Sequence, residues 1–167
     1  MGLRDKRPLA RTVEICAAFS ICTVVMMALD VVAGFAARAD DSVTAMYSGL
    51  NRLRQTCGVI ADDPRLELAA QRHADDMLKS GVNGHVGSDG SSPRVRIKDA
   101  GYTRAGRTGE IVLWGTGSSV TPSEALDLWM QSPPHRDIIL NCAFTAVGFA
   151  IAADGNKMTA VGDFAGP

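Results

Sequence analysis

The stretch Trp129-Met130-Gln131-Ser132-Pro133-Pro134-His135-Arg136-Asp137-Ile138-Ile139-Leu140 decides how the rest of the chain is read. A helix opening at Thr121-Pro122-Ser123-Glu124 runs into it: Thr121 caps, Pro122 takes the first helical position and Glu124 closes a capping box. Glu124 is thereby assigned to the helix rather than to chemistry. Two prolines then stop this helix, because proline lacks the N–H and disfavours helical dihedrals in the residue before it. The chain is expected to turn at His135, directly after a buried aromatic anchor, Trp129. A histidine on such a turn faces a cleft, and its partners are sought elsewhere: His85 in Gly84-His85-Val86-Gly87 and Glu110 in Gly109-Glu110-Ile111.

The N-terminus has the layout of a secretory signal. Arg4, Lys6, Arg7 and Arg11 form a basic region, Ile15 to Leu29 an apolar core, and Ala37-Arg38-Ala39 offers the small residues that a signal peptidase reads. Residues 1–39 are read as a signal peptide and 40–167 as one domain; an uncleaved signal anchor is less favoured on length and flanks, although the apolar run, interrupted by Asp30 at a cost in a bilayer, almost suffices to span one. The protein is therefore expected outside the cell or in its envelope, with membrane contact only through an uncleaved leader. The leader holds five of the 17 basic and three of the 18 acidic residues, which leaves the domain near −3. With no basic cluster, nucleic-acid binding is excluded as a main function. Cys16 and Cys22 lie in the leader; Cys57 and Cys142 remain, and in an oxidising compartment they suggest one disulfide. Closing so long a loop is worth about 4 kcal/mol in the chain-entropy model; two buried free thiols are the alternative.

Outward from the central stretch, Val43, Met46, Leu50, Leu53 and Cys57 recur at helical spacing, and Gly58 ends that helix. Asp63 and Pro64 open a second helix through Leu66, Ala69, Ala70, His73 and Met77 to Ser80-Gly81. His73 is assigned to the core because it shares the apolar face. A glycine- and serine-rich loop carrying His85 follows, then a short helix from Ser92-Pro93. Glu110 begins the apolar run Ile111 to Trp114, read as a strand buried on both faces. Ala125, Leu128 and Trp129 form the apolar face of the helix before the prolines. Phe144 to Ile151, the turn Asp154-Gly155 and Met158 to Phe164 make a terminal hairpin. Both tryptophans are assigned to packing. Gly115-Thr116-Gly117 lacks the features of a phosphate or dinucleotide loop.

Taken together, these residues resemble the CAP superfamily of cysteine-rich secretory, antigen 5 and pathogenesis-related 1 proteins, in its short bacterial secreted branch of actinobacterial type. The resemblance spans Ser42 to Phe164. It rests on Leu50-Asn51-Arg52-Leu53-Arg54, Leu66 to Met77, Gly84-His85, Gly101-Tyr102, Gly109-Glu110, Trp129 to Arg136 and Phe144-Thr145-Ala146-Val147-Gly148. It implies an α+β fold, an α-β-α sandwich with a small, mainly antiparallel sheet between helices, and a cleft lined by two histidines and two acids. His85 looks like the first histidine, Glu110 the first acid and His135 the second histidine; Ser132 stands where the second acid is found in animal and plant members.

Two imidazoles and a carboxylate suit Zn2+ or another divalent metal, so His85, Glu110 and His135 are the candidate metal ligands. The alternative is a hydrogen-bonded polar cluster that orders the cleft without metal. The resemblance implies an extracellular binding module for a lipid, a peptide or an envelope component. A metal-dependent hydrolase acting on protein or envelope polymer is the alternative. A serine hydrolase on Ser132 and His135 lacks a nucleophile-elbow context and an oriented third member.

Overall fold

The computed structural model describes residues 41–116 and 121–167; the leader, its cleavage position and its two cysteines lie outside them. Helix α1 covers residues 41–53. It is followed by β1 (Ala61–Asp62), α2 (Pro64–Ser80), α3 (Pro93–Asp99), β2 (Arg107–Thr116), α4 (Pro122–Gln131), α5 (Pro133–Leu140), β3 (Ala146–Asp154) and β4 (Lys157–Gly166). The sheet order is β1-β3-β4-β2, antiparallel except for the pairing of β1 with β3. This is the expected α+β architecture.

The two-residue period of the strands separates the layers. Ile111, Val147, Phe149, Met158, Ala160 and Phe164 pack with Met46 and Leu50 of α1, Ala125, Leu126 and Trp129 of α4 and Ile139 of α5. Val112, Ala150, Ala152 and Val161 point to the opposite face and pack on Ala70, Ala74 and Met77 of α2. Gly148 lets α2 approach β3: a Cβ there would lie 2.0 Å from the Glu67 amide nitrogen.

The local signals act as expected at most helix ends. Asp63 caps α2 through the Arg65 N–H, Gly81 ends it in the left-handed region at φ 76°, and the Thr121–Glu124 capping box forms. Four expectations are corrected. Pro133 and Pro134 end α4 but also open α5, where first-turn prolines forfeit no helical hydrogen bond; His135 therefore stands in the first turn of a helix rather than on a turn. Leu53 is 38% exposed while Arg54 is 2% exposed, because the carbonyls at the end of α5 need donors: Arg54 serves Ile139 at 2.5 Å, Asn141 at 3.1 Å and Phe144 at 2.7 Å. In α4, Leu126 rather than Leu128 faces the core. Trp114 is 46% exposed, so β2 is not buried on both faces at that end.

Cys57 and Cys142 form a disulfide with Cα atoms 4.9 Å apart. It ties the turn after α1 to the chain just beyond α5, beside the Arg54 contacts. The Trp129 indole N–H donates to the Val112 carbonyl at 3.0 Å. That bond fixes α4 on the outer strand β2, and α5 with it.

Candidate functional site

The site is assembled on the α2 side of the sheet, around a carboxylate the sequence singled out and an arginine it did not. Glu110 lies within β2 and is buried. Its Oε2 accepts from Arg96 of α3 at 2.5 Å, and its Oε1 accepts from His85 Nδ1 at 2.8 Å. Arg96 is 1% exposed and also donates to the backbone carbonyls of Ser91 at 2.8 Å and His85 at 3.0 Å. One guanidinium thus pairs with the buried acid and ties His85, in the middle of its loop, to Ser91 near the loop's end. Such multiple donation in a fixed plane is what arginine supplies and lysine does not.

His73 completes the support. It is fully buried, and its Nε2 donates to the Gly84 carbonyl at 2.8 Å. The assignment of His73 to the core holds, but its bond anchors the residue before His85, where Gly84 has φ 131°. A side chain at that dihedral is strained, so glycine suits the position.

With Nδ1–H donated to a carboxylate, the His85 ring is fixed in orientation, and in its neutral form Nε2 carries the lone pair. This is the arrangement by which a carboxylate orients a ligating histidine. The His135 ring lies 6.3 Å from that of His85, centroid to centroid, at 68°. Burial, helped by the positive charge His85 would carry, holds the His135 imidazole below its ordinary pKa and favours its neutral form. The structure therefore brings His85 to both Glu110 and His135. Ser132 lies at the junction of α4 and α5, where its side chain makes no capping bond, and no hydrogen bond connects it to either imidazole among the described residues. A cleft of about 300 Å3 opens here, lined by His85, Ser92, Pro93, Arg94, Thr108 and Glu110 together with Gly109.

Beneath the cleft, Asp163 of β4 is the cross-strand partner of Glu110 and is fully buried. Among the described residues no donor side chain reaches its oxygens. Burial, and then the adjacent Glu110 carboxylate, push its carboxyl well above the usual range, against a smaller opposing effect of Arg96. Burial thereby favours the neutral form of Asp163. Sequence reading missed both Arg96 and Asp163. For Asp163 a signal existed, a lone acid inside the apolar run Met158 to Phe164; for Arg96, flanked by Arg94 and Lys98 on a short helix, there was none.

The donor set admits a divalent ion only in part. Both Glu110 oxygens are engaged, and among the described residues no group of three His, Cys, Asp or Glu side chains is arranged to hold a metal. Of the two imidazoles, His85 lines this cleft; His135 stands outside its lining, with its ring 6.3 Å from that of His85.

The model of the cysteine-rich secretory protein family, CAP, matches residues 47–164. No curated protein sequence matches the chain. Among solved structures, it is similar to an outer surface protein from Borrelia burgdorferi, with a TM-score of 0.68 and 21% identity over 75% of this chain and 92% of that one. It is also similar to an extracellular protein containing an SCP domain from Bacillus anthracis, with a TM-score of 0.64 and 21% identity over 77% of this chain and 41% of that one. NaASP2, solved with Zn2+, matches with a TM-score of 0.54 and 15% identity over 74% of this chain and 78% of that one. At these identities the likeness concerns the fold.

Proposed function

The chain belongs to the cysteine-rich secretory protein family, CAP, and from that premise we propose that it is an exported binding module whose cleft takes its ligand through the His85 and His135 imidazoles. Export is supported by the signal-like leader, by the Cys57–Cys142 disulfide and by the outer-surface and extracellular neighbours. The ligand is a lipid, a peptide or an envelope component.

The observation that carries the binding reading is the commitment of Glu110. A hydrolytic acid or base needs a carboxylate oxygen free to meet water or substrate, and here Arg96 and His85 occupy one oxygen each. Ser132 is not coupled to an imidazole, so no activated nucleophile is assembled among the described residues. The metal-dependent hydrolase is accordingly the less favoured reading. Zinc or another divalent ion, where bound, would be held by His85 Nε2 and His135 and would supply a Lewis-acidic anchor for an oxygen of the ligand. Glu110 would orient His85 from behind.

Calorimetric titration of Zn2+ into the full chain, beside a His85→Ala/His135→Ala variant, tests this. One saturable site that the folded double variant loses supports the two-imidazole cleft. No binding by the folded wild type removes the metal from the proposal and leaves direct recognition of the organic ligand. Zinc-dependent cleavage of casein or peptidoglycan, lost in the same variant, would overturn the binding reading in favour of hydrolysis.

A further inference from the structure

A second concavity, of about 480 Å3, lies beyond the C-terminal end of α2, where Met77, Leu78, Asn83, Trp114 and Lys157 meet around Thr116. It shares no lining residue with the histidine cleft. Its size falls within the range of small-molecule sites, about 300–1,000 Å3. Trp114 is 46% exposed, although it stands in a strand whose residues Ile111 and Val112 are buried. The neighbouring Gly115 keeps the space beside the ring open, since a Cβ there would meet nothing within 4 Å.

Three polar side chains of this groove are uncommitted among the described residues. The Trp114 indole N–H, the Asn83 amide and the Lys157 ammonium make no hydrogen bond or ion pair among the described residues. Thr159 differs, because its hydroxyl is already donated to the Ala74 carbonyl at 2.8 Å. Among the described residues no acidic side chain lines the groove, so Lys157 leaves it cationic. Asp154, the cross-strand partner of Lys157 in the terminal hairpin, forms no ion pair with it among the described residues.

A rigid aromatic face flanked by free donors suits one ligand chemistry better than others. A purely apolar chain would cover Asn83 and Lys157 without satisfying them, which is costly. A sugar ring presents C–H groups on its flat face, where a tryptophan stacks, and hydroxyls around its rim, where amide and indole N–H groups bond. The unpaired ammonium adds a preference for negative charge. We propose that this groove is a second binding site, for a saccharide bearing an acidic group: the ring stacks on Trp114, Asn83 bonds its hydroxyls and Lys157 pairs with its carboxylate or phosphate.

The test is a fluorescence titration of the full chain with three probes: a glucuronic-acid-containing disaccharide, glucose 6-phosphate, and the neutral N,N′-diacetylchitobiose. The chain has two tryptophans, and Trp129 is 1% exposed, so a probe in this groove reports through Trp114. A saturable change with either acidic probe, at least tenfold tighter than with the neutral disaccharide, is expected; which acid binds more tightly distinguishes a carboxylate source from a phosphate source. Lys157→Gln should abolish the preference for acid while stacking persists. Trp114→Ala should raise Kd at least tenfold by calorimetry, and Trp114→Phe should restore part of the loss. The proposal is overturned by failure of all three probes to bind wild type, by equal affinity for the neutral probe, or by an acid preference that survives Lys157→Gln in the folded protein.

Discussion

Replacing Arg96 with methionine removes the guanidinium that neutralises Glu110 and holds the His85 loop, while keeping a side chain able to fill the buried space. Arg96 and Glu110 are each 1% exposed in their side chains and meet at 2.5 Å. Breaking a buried pair from one side costs about 3–5 kcal/mol, because the remaining charge is left without compensation. The carbonyls of Ser91 and His85 also lose their donors, at 2.8 and 3.0 Å. Against a total stability of about 5–15 kcal/mol, Arg96→Met should remove about 4 kcal/mol. For a domain of this size that lowers Tm by roughly 10–20 °C. The assay is urea unfolding followed by circular dichroism, with the slope checked for constancy. The companion variant Arg96→Met/Glu110→Gln removes both charges and should recover about 2 kcal/mol of the loss, a coupling of the size seen between residues in direct contact. A cost below about 1 kcal/mol for the single variant would refute the reasoning, and so would a double variant no more stable than the single one.

Further outcomes follow from the same geometry. Reducing the Cys57–Cys142 disulfide, whose cysteines are 85 residues apart in sequence, should cost about 4.5 kcal/mol by the chain-entropy relation and lower Tm accordingly in scanning calorimetry. The raised carboxyl of Asp163 contributes stability that is complete below its unfolded value near 3.8 and is lost as pH rises toward its folded one. Asp163→Asn should therefore raise Tm at neutral pH and flatten its decline above about pH 4. His135 is shifted the other way: its neutral form stabilises the fold above 6.5, and this is lost as pH falls through its depressed folded value. His135→Gln should then show a shallower fall in Tm on acidification. Gly148→Ala drives a methyl into the backbone at Leu66 and Glu67, and should cost at least about 2 kcal/mol in urea unfolding.

What was legible in the sequence was what local chemistry decides. The Thr121–Glu124 box, the Asp63 cap, the inward face of α2 and the Asp154-Gly155 hairpin depend on residues close together in the chain, and each is found as read. The family resemblance supplied the sandwich and brought together His85, Glu110 and His135. Long-range demands were not legible. Arg54 turns inward because carbonyls some 90 residues later lack donors. Arg96 is buried because a distant strand places Glu110 beside it. β1 is a two-residue bridge whose exposed residues carry no periodic signal, and it exists only through its pairing with Ala146 and Val147. The double proline carries two meanings, stop and start, and only the packing of Ile139 on the core selects the second.

The central claim is that Glu110 serves as the anchor of His85 and that His85 Nε2 and His135 are the groups offered to a ligand. Long-range proton–nitrogen correlation NMR of the imidazoles, through a pH series and a zinc titration, tests it most directly. The account predicts a proton on His85 Nδ1, a His135 pKa below 6.5, and zinc-induced shifts at His85 Nε2 and the His135 ring while His73 stays unmoved. A His85 protonated at Nε2 instead, a His135 pKa at or above 6.5, or zinc shifts centred on His73 would contradict it.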